Sequence, residues 1–386
     1  MRYKGREFVT ALAMGWRYWF GGMSMRKVLW SVGLLALAVT PVLAQDQPQI
    51  AREPWTCAPG YEGQTLSIYN WSTYVAENTI SNFEAACGVT VNYDVFGNNE
   101  EMLARLRQGN PGFDISVPTD YAVAIMSAEG LLEPIDRSLV GNFANVSEGL
   151  TGLYFDPENA YSIPYQWGTV GIGYNIEAVG EEITSWEQVW NYDGPVAWLD
   201  DQRIMLGIAL NLLGLDPNTQ DPDEIAQARD FLIEKGGNVV SFAADDGQAL
   251  LARGDVDIAI EYSGDIFQIM AEDPGKFNYV IPEEGTQIWI DNMVIPLDAP
   301  NPALAALFMD YILDPQVGAD ISNYTAFGSP NQAAIDQGLI LPELLENPGI
   351  YPSDEIRARL YEIQDVPDAE TDYSYAWDEI RVALGG

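Results

Sequence analysis

"LSIYNWSTYVAENTISNFEAACGVTVNYDVF", residues 66–96, changes period twice. Leu66 to Tyr69 reads as a strand. Asn78 to Ala86 reads as a helix, with Ile80, Phe83 and Cys87 on one stripe, and "GVTVNYDVF" as a second strand. The alternation continues. "NNEEMLARLRQG" is a helix opening at Asn98 or Asn99 and ended by Gly109. "FDISVP" is a buried, β-branched strand, and "DYAVAIMSAEGLLEPI" a helix stopped at Gly130. Strands alternating with helices predict a mostly parallel α/β sheet.

Between strand and helix stand Trp71, Ser72, Thr73 and Tyr74, two large rings crowded among hydrogen-bonding groups. In parallel α/β sheets ligands sit beyond the carboxyl ends of the strands. Thr119, Asp120 and Tyr121 follow a strand in the same way, so both stretches are expected to open onto one crevice.

The middle of the chain reads as a second α/β unit. "YSIPYQWGTVGIGYN" (161–175) is a long β-type segment whose proline and glycines suit a crossing between two lobes. "VAWLD", three helical stretches and "VDIAIEYSGD" follow. "TQIWIDNMVIP" (286–296) resembles a return crossing, and two further helices begin at Asn301 and Pro315.

The first residues stand apart. From Met23 the chain has a short basic region (Arg26, Lys27), an apolar run from Val28 to Val39 and a small-residue cleavage pattern at Val42-Leu43-Ala44. This predicts a secretory signal peptide behind a leader, with a mature start near Gln45 and a periplasmic protein. An uncleaved membrane tether is the alternative. Roughly 340 residues remain, enough for two cores.

Lys and Arg number 18 against 57 Asp and Glu, a formal net charge of −39. That charge argues against nucleic acid or an anionic membrane as partner. It suits a cationic ligand, or an acidic surface kept soluble in salt. With no histidine, a Ser-His-Asp triad, a Cys-His pair and a His-ligated zinc site are excluded. No cofactor or metal is expected. The two cysteines, Cys57 and Cys87, follow an export signal, so a disulfide is expected between the segment before the first strand and the end of the first helix.

Eight stretches in order carry a resemblance: "YNWSTYV", "NYDVFGNNEEMLARLRQG", "FDISVPTDYAV", "IPYQWGTVGIGYN", "ITSWEQVW", "DIAIEYSGDIFQ", "IWIDNMVIP" and "ENPGIYPSDEIRARLY". Together the chain resembles the periplasmic spermidine/putrescine-binding proteins of ABC transporters. The resemblance implies a two-lobed α/β periplasmic binding protein fold of type II, with a hinge of crossing strands and a cleft between the lobes. Lobe 1 would comprise residues 64–165 plus 292–345 and lobe 2 residues 166–291. An N-terminal extension (45–63) and a C-terminal helical segment (346–386) would flank them. It also implies a non-enzymatic, probably monomeric protein that hands a polyamine to a membrane permease.

A polyamine needs carboxylates for its ammonium groups and flat walls for its methylenes. The family pattern puts Trp71 and Tyr74 as walls, Ser72 and Thr119 as polar contacts and Tyr121 on the second loop. Asp120 is either an extra acid or a helix cap. From the other lobe come Tyr262, Asp265, Trp289 and Asp291, the last two on one strand face by alternation. Asp291 is the expected ammonium partner. Asp201 matches a family carboxylate, Phe327 stands where the family usually has Tyr, and Gln364 aligns more loosely with a polar contact near the C-terminus.

Three positions depart from the pattern. Thr73 and Ile204 stand where acids are expected, and Glu261 precedes Tyr262, where alternation would turn it away. Fewer acids favour putrescine over spermidine. Another small solute, such as an amino acid or a sugar, stays open. A glycoside hydrolase built on Asp200 and Asp201, or on Asp265 and Asp291, is the alternative of a different class.

Overall fold

The computed structural model describes residues 54–386. The leader and signal peptide expected over residues 1–44 lie outside these. Ten strands form one sheet: β1 (Thr65–Asn70), β2 (Thr90–Val95), β3 (Ile115–Ser116), β4 (Leu132–Glu133), β5 (Ser162–Asn175), β6 (Val196–Leu199), β7 (Val239–Ala243), β8 (Ile258–Tyr262), β9 (Phe277–Val280) and β10 (Ile288–Pro296). Their order is β2-β1-β3-β10-β5-β8-β6-β7, with β4 on β10 and β9 on β5.

Two parallel groups, β2-β1-β3 and β8-β6-β7, are joined through an antiparallel pair, β10 and β5. The 14 residues of β5 do this by changing partners along their length. Ser162 to Thr169 pairs with β10, and Val170 to Asn175 with β8 and β9. Its glycines are needed because neighbours press on the backbone. A Cβ on Gly171 would stand 2.5 Å from the Val280 carbonyl oxygen, and one on Gly173 would stand 2.4 Å from Ile266.

The helix Thr79–Cys87 ends at Gly88 in the left-handed region, and Asn98 caps Asn99–Arg107 by accepting the Glu101 N–H at 2.8 Å. The expected third strand is cut to two residues, because β10 takes it up at Ser116 alone before Pro118. "VDIAIEYSGD" splits after Tyr262, and Ser263 opens the helix Ser263–Glu272.

Both ends of the described chain are tied down. Cys57 and Cys87 form a disulfide, and the Trp55 indole donates to Asp310 at 2.8 Å. The helix Glu370–Leu384 lies on Gln202–Leu212 and Pro222–Lys235, with Arg229 bound to Glu379 at 2.7 Å. Among the described residues no helix is long and apolar enough to cross a membrane.

Candidate functional site

Strand ends and helix starts converge on a cleft lined by Trp71, Ser72, Tyr74, Thr119, Asp245, Tyr262, Asp265, Trp289, Asp291 and Phe327. Trp71 leaves β1 with its indole N–H fixed on the Val117 carbonyl at 2.9 Å. Its ring lies 6.1 Å from that of Tyr262. Trp289 stands 5.8 Å from Tyr262 and 5.2 Å from Phe327, and Tyr74 stands 5.3 Å from Phe327. The rings meet mostly edge to face and nearly close the cleft, leaving only about 20 Å³ of free space between them.

Three carboxylates enter this aromatic wall. Asp291 accepts the Tyr74 hydroxyl and the Thr119 hydroxyl, both at 2.8 Å. Burial pushes it up to about 7, against the pull of those two bonds. Asp265, on the first turn of Ser263–Glu272, accepts the Thr73 hydroxyl at 2.9 Å. Burial and then the charge of Asp245 raise it well above the usual carboxylate range. Asp245 follows β7 and accepts the Ser72 N–H at 2.8 Å; burial pushes it up to about 7. Among the described residues no Lys or Arg lines the cleft. A buried acid without a cation prefers to stay protonated, and a ligand cation would reverse that preference.

Thr73 reaches Asp265 from the rim, its backbone held at φ +47°. Trp71, Ser72, Tyr74, Thr119, Tyr262, Asp265, Trp289, Asp291 and Phe327 are brought together as the sequence suggests. Five others are not. Asp120 accepts the N–H of Tyr121 at 2.7 Å and that of Ile290 at 3.2 Å, so it ties a helix start to β10 behind the site. Glu261 accepts the Tyr262 N–H at 2.9 Å and sits against Gly247, on the strand face away from the cleft.

Tyr121, Asp201 and Gln364 share another centre, Arg203. Tyr121 donates to Glu100 at 3.1 Å and lies 5.7 Å from the guanidinium. Asp201 caps Gln202–Leu212 through the N–H groups of Arg203 and Ile204. Gln364 is exposed, and only its backbone is used: its carbonyl accepts from Arg203 at 3.0 Å. Arg203 thus stands as the internal cation where these groups would otherwise meet a ligand's ammonium. Ile204 is buried and also lies off the cleft.

Asp245 escaped the sequence reading. Its signal was the strand-exit position after "VVSFA", the same position that marks Trp71.

Residues 78–349 match the profile of the bacterial extracellular solute-binding proteins. This chain belongs to that family. Among curated relatives of this solute-binding protein, the putrescine-binding periplasmic protein PotF of Escherichia coli (strain K12) is 34% identical over 343 residues, 83% of this chain and 92% of that one. The spermidine/putrescine-binding periplasmic protein of the same organism is 34% identical over 299 residues, 76% of this chain and 85% of that one. The solved spermidine/putrescine ABC transporter substrate-binding protein PotD of Streptococcus pneumoniae, 31% identical, superimposes with a TM-score of 0.69 over 83% of this chain and all of that one. The fold is the two-lobed one of these proteins, with β5 and β10 as the crossing strands.

Proposed function

We propose that this protein captures a polyamine outside the cytoplasmic membrane, in the periplasm, and delivers it to the permease of an ABC importer. Three carboxylates set among five rings, Asp265 and Asp291 buried and Asp245 half-buried, with no Lys or Arg among the described residues lining the cleft, are the observation that carries this reading. Each ammonium would gain charge-assisted bonds, and the rings would cover the methylenes at about 0.8 kcal/mol per buried CH₂. No catalytic step is assigned to these acids.

A diamine of putrescine length is favoured. The charge of Asp245 acts on both Asp265 and Asp291, and Asp291 is also engaged with Tyr74 and Thr119. Asp265 and Asp291 then serve as the anchor pair, one per ammonium. A third ammonium would need its own partner in the aromatic stretch between them, and leaving it unpaired costs several kcal/mol. Calorimetric titration with putrescine, spermidine, spermine, an amino acid and a sugar tests this. Binding of putrescine ahead of spermidine is expected. Tight binding of the sugar or amino acid, with no heat from any amine, would overturn the whole reading. A tenfold preference for spermidine, roughly 1.4 kcal/mol, would overturn the diamine preference alone.

A further inference from the structure

Behind the crossing strands lies a second cavity of about 360 Å³, at the lower end of the range for small-molecule sites. One strand layer separates it from the cleft. On β10, Ile288 and Ile290 face this cavity, while Trp289 and Asp291 face the cleft. Trp167 of β5, the pairing partner of Ile290, adds a flat wall to the same side.

The polar group at its rim is unusual for so acidic a chain. The Arg357 guanidinium lies 5.1 Å from the centre of the Trp167 ring. Its Nε donates to the Pro352 carbonyl at 3.1 Å, and among the described residues the side chain makes no ion pair. Glu362 also lines the cavity but makes no ion pair with Arg357. In a chain with 57 acidic residues against 18 basic ones, a guanidinium left without a carboxylate partner is a poised anion receptor. Stacking orients its planar fork, which suits a carboxylate.

We propose that this cavity binds an amphipathic carboxylate, its head on Arg357 and its ring or hydrocarbon body against Trp167, Ile288 and Ile290. Occupancy also biases the cleft. The Ile290 N–H is held by Asp120, and Thr119, the residue before it, bonds Asp291 at 2.8 Å. A molecule pressing on Ile290 therefore acts on the carboxylate across the strand, and the coupling is reciprocal. The inference does not depend on which solute the cleft takes.

The probe is 4-phenylbutyrate, with 4-phenylbutyramide as its uncharged control, titrated calorimetrically into the folded protein. Saturable binding of the acid is expected, with the amide at least about fivefold weaker. Arg357→Gln, at an exposed position, should weaken the acid by a similar factor. Gln332→Glu, which places a like charge on the cavity wall, should do the same by an independent route. Asp291→Asn should retain probe binding. Saturating probe should move the affinity for whichever solute fills the cleft by at least about threefold. No saturable binding, binding indifferent to Arg357→Gln and Gln332→Glu, or binding abolished by Asp291→Asn would overturn the site. An unmoved cleft affinity would overturn the coupling.

Discussion

Asp291 accepts two hydroxyls of the cleft wall, those of Tyr74 and Thr119, both from the first half of the chain. Asp291→Asn should weaken polyamine binding by at least about 1.5 kcal/mol, the scale of a lost charge-assisted bond, as read by calorimetry. Unchanged affinity would mean that no ammonium sits there. The same carboxylates predict a pH dependence. Asp245 and Asp291 are pushed up to about 7 in the folded protein, against about 3.9 in an unfolded chain. Between those values the folded state holds protons that the unfolded state has released, so stability falls as pH rises through the window. The ligand-free protein should melt higher near pH 5 than near pH 8, and Asp245→Asn combined with Asp291→Asn should flatten that slope. Polyamine affinity should run the other way, rising with pH as the acids ionise while the amines stay charged. A flat affinity profile would exclude these carboxylates as the amine partners.

β5 decides how closely the walls approach. At Gly168 a Cβ would stand 2.8 Å from the Trp289 ring and 3.0 Å from both Phe327 and the Ser263 hydroxyl. Gly168→Ala should therefore displace two cleft walls and weaken ligand binding by roughly 1–3 kcal/mol, the usual cost of overpacking. At Gly171 the obstacle is the backbone oxygen of Val280, so alanine there should show mainly as a lower melting temperature. The Cys57–Cys87 bond is a different kind of device, closing a 30-residue separation between an irregular segment and a helix end. Replacing both cysteines by alanine should cost about 2–4 kcal/mol of stability. Polyamine affinity should stay the same, since neither residue lines the cleft. A loss of affinity equal to the loss of stability would mean that the bond also shapes the site.

At the scale of the whole molecule, the two halves meet across the cleft through bonds from Ser72 to Asp245 and from Thr73 to Asp265. A ligand that bridges the same carboxylates binds only the folded, closed arrangement. Polyamine at a hundredfold over its Kd should add about 2.7 kcal/mol, which for a chain of this size raises the melting temperature by roughly 4 °C. No shift with any di- or polyamine would contradict the proposed function. The Arg203 centre gives a further lesson about the molecule as a whole. Tyr121, Asp201 and Gln364 look like ligand contacts along the chain, yet they surround an internal cation, and Asp201 and Glu100 are pushed up to about 6 and about 8 largely by burial.

What the sequence determined by itself is what local pattern carries. The switch from strand to helix across residues 66–96 marks a parallel α/β sheet, and the two long β-type segments mark the crossings that join its halves. The alternation in "IWIDN" puts Trp289 and Asp291 on one face and turns Glu261 away from Tyr262. The tertiary structure alone decided which acids share a cavity. Asp120 and Asp201 both stand at strand exits with the same chemistry as Asp245, but backbone N–H groups at helix starts consume them. Asp245 instead faces Ser72 from the opposite half of the molecule. A carboxylate's role depends on whether its nearest donor belongs to its own helix or lies across the cleft. That distance is set by folding, because residues 72 and 245 meet only once the sheet has closed the gap between them.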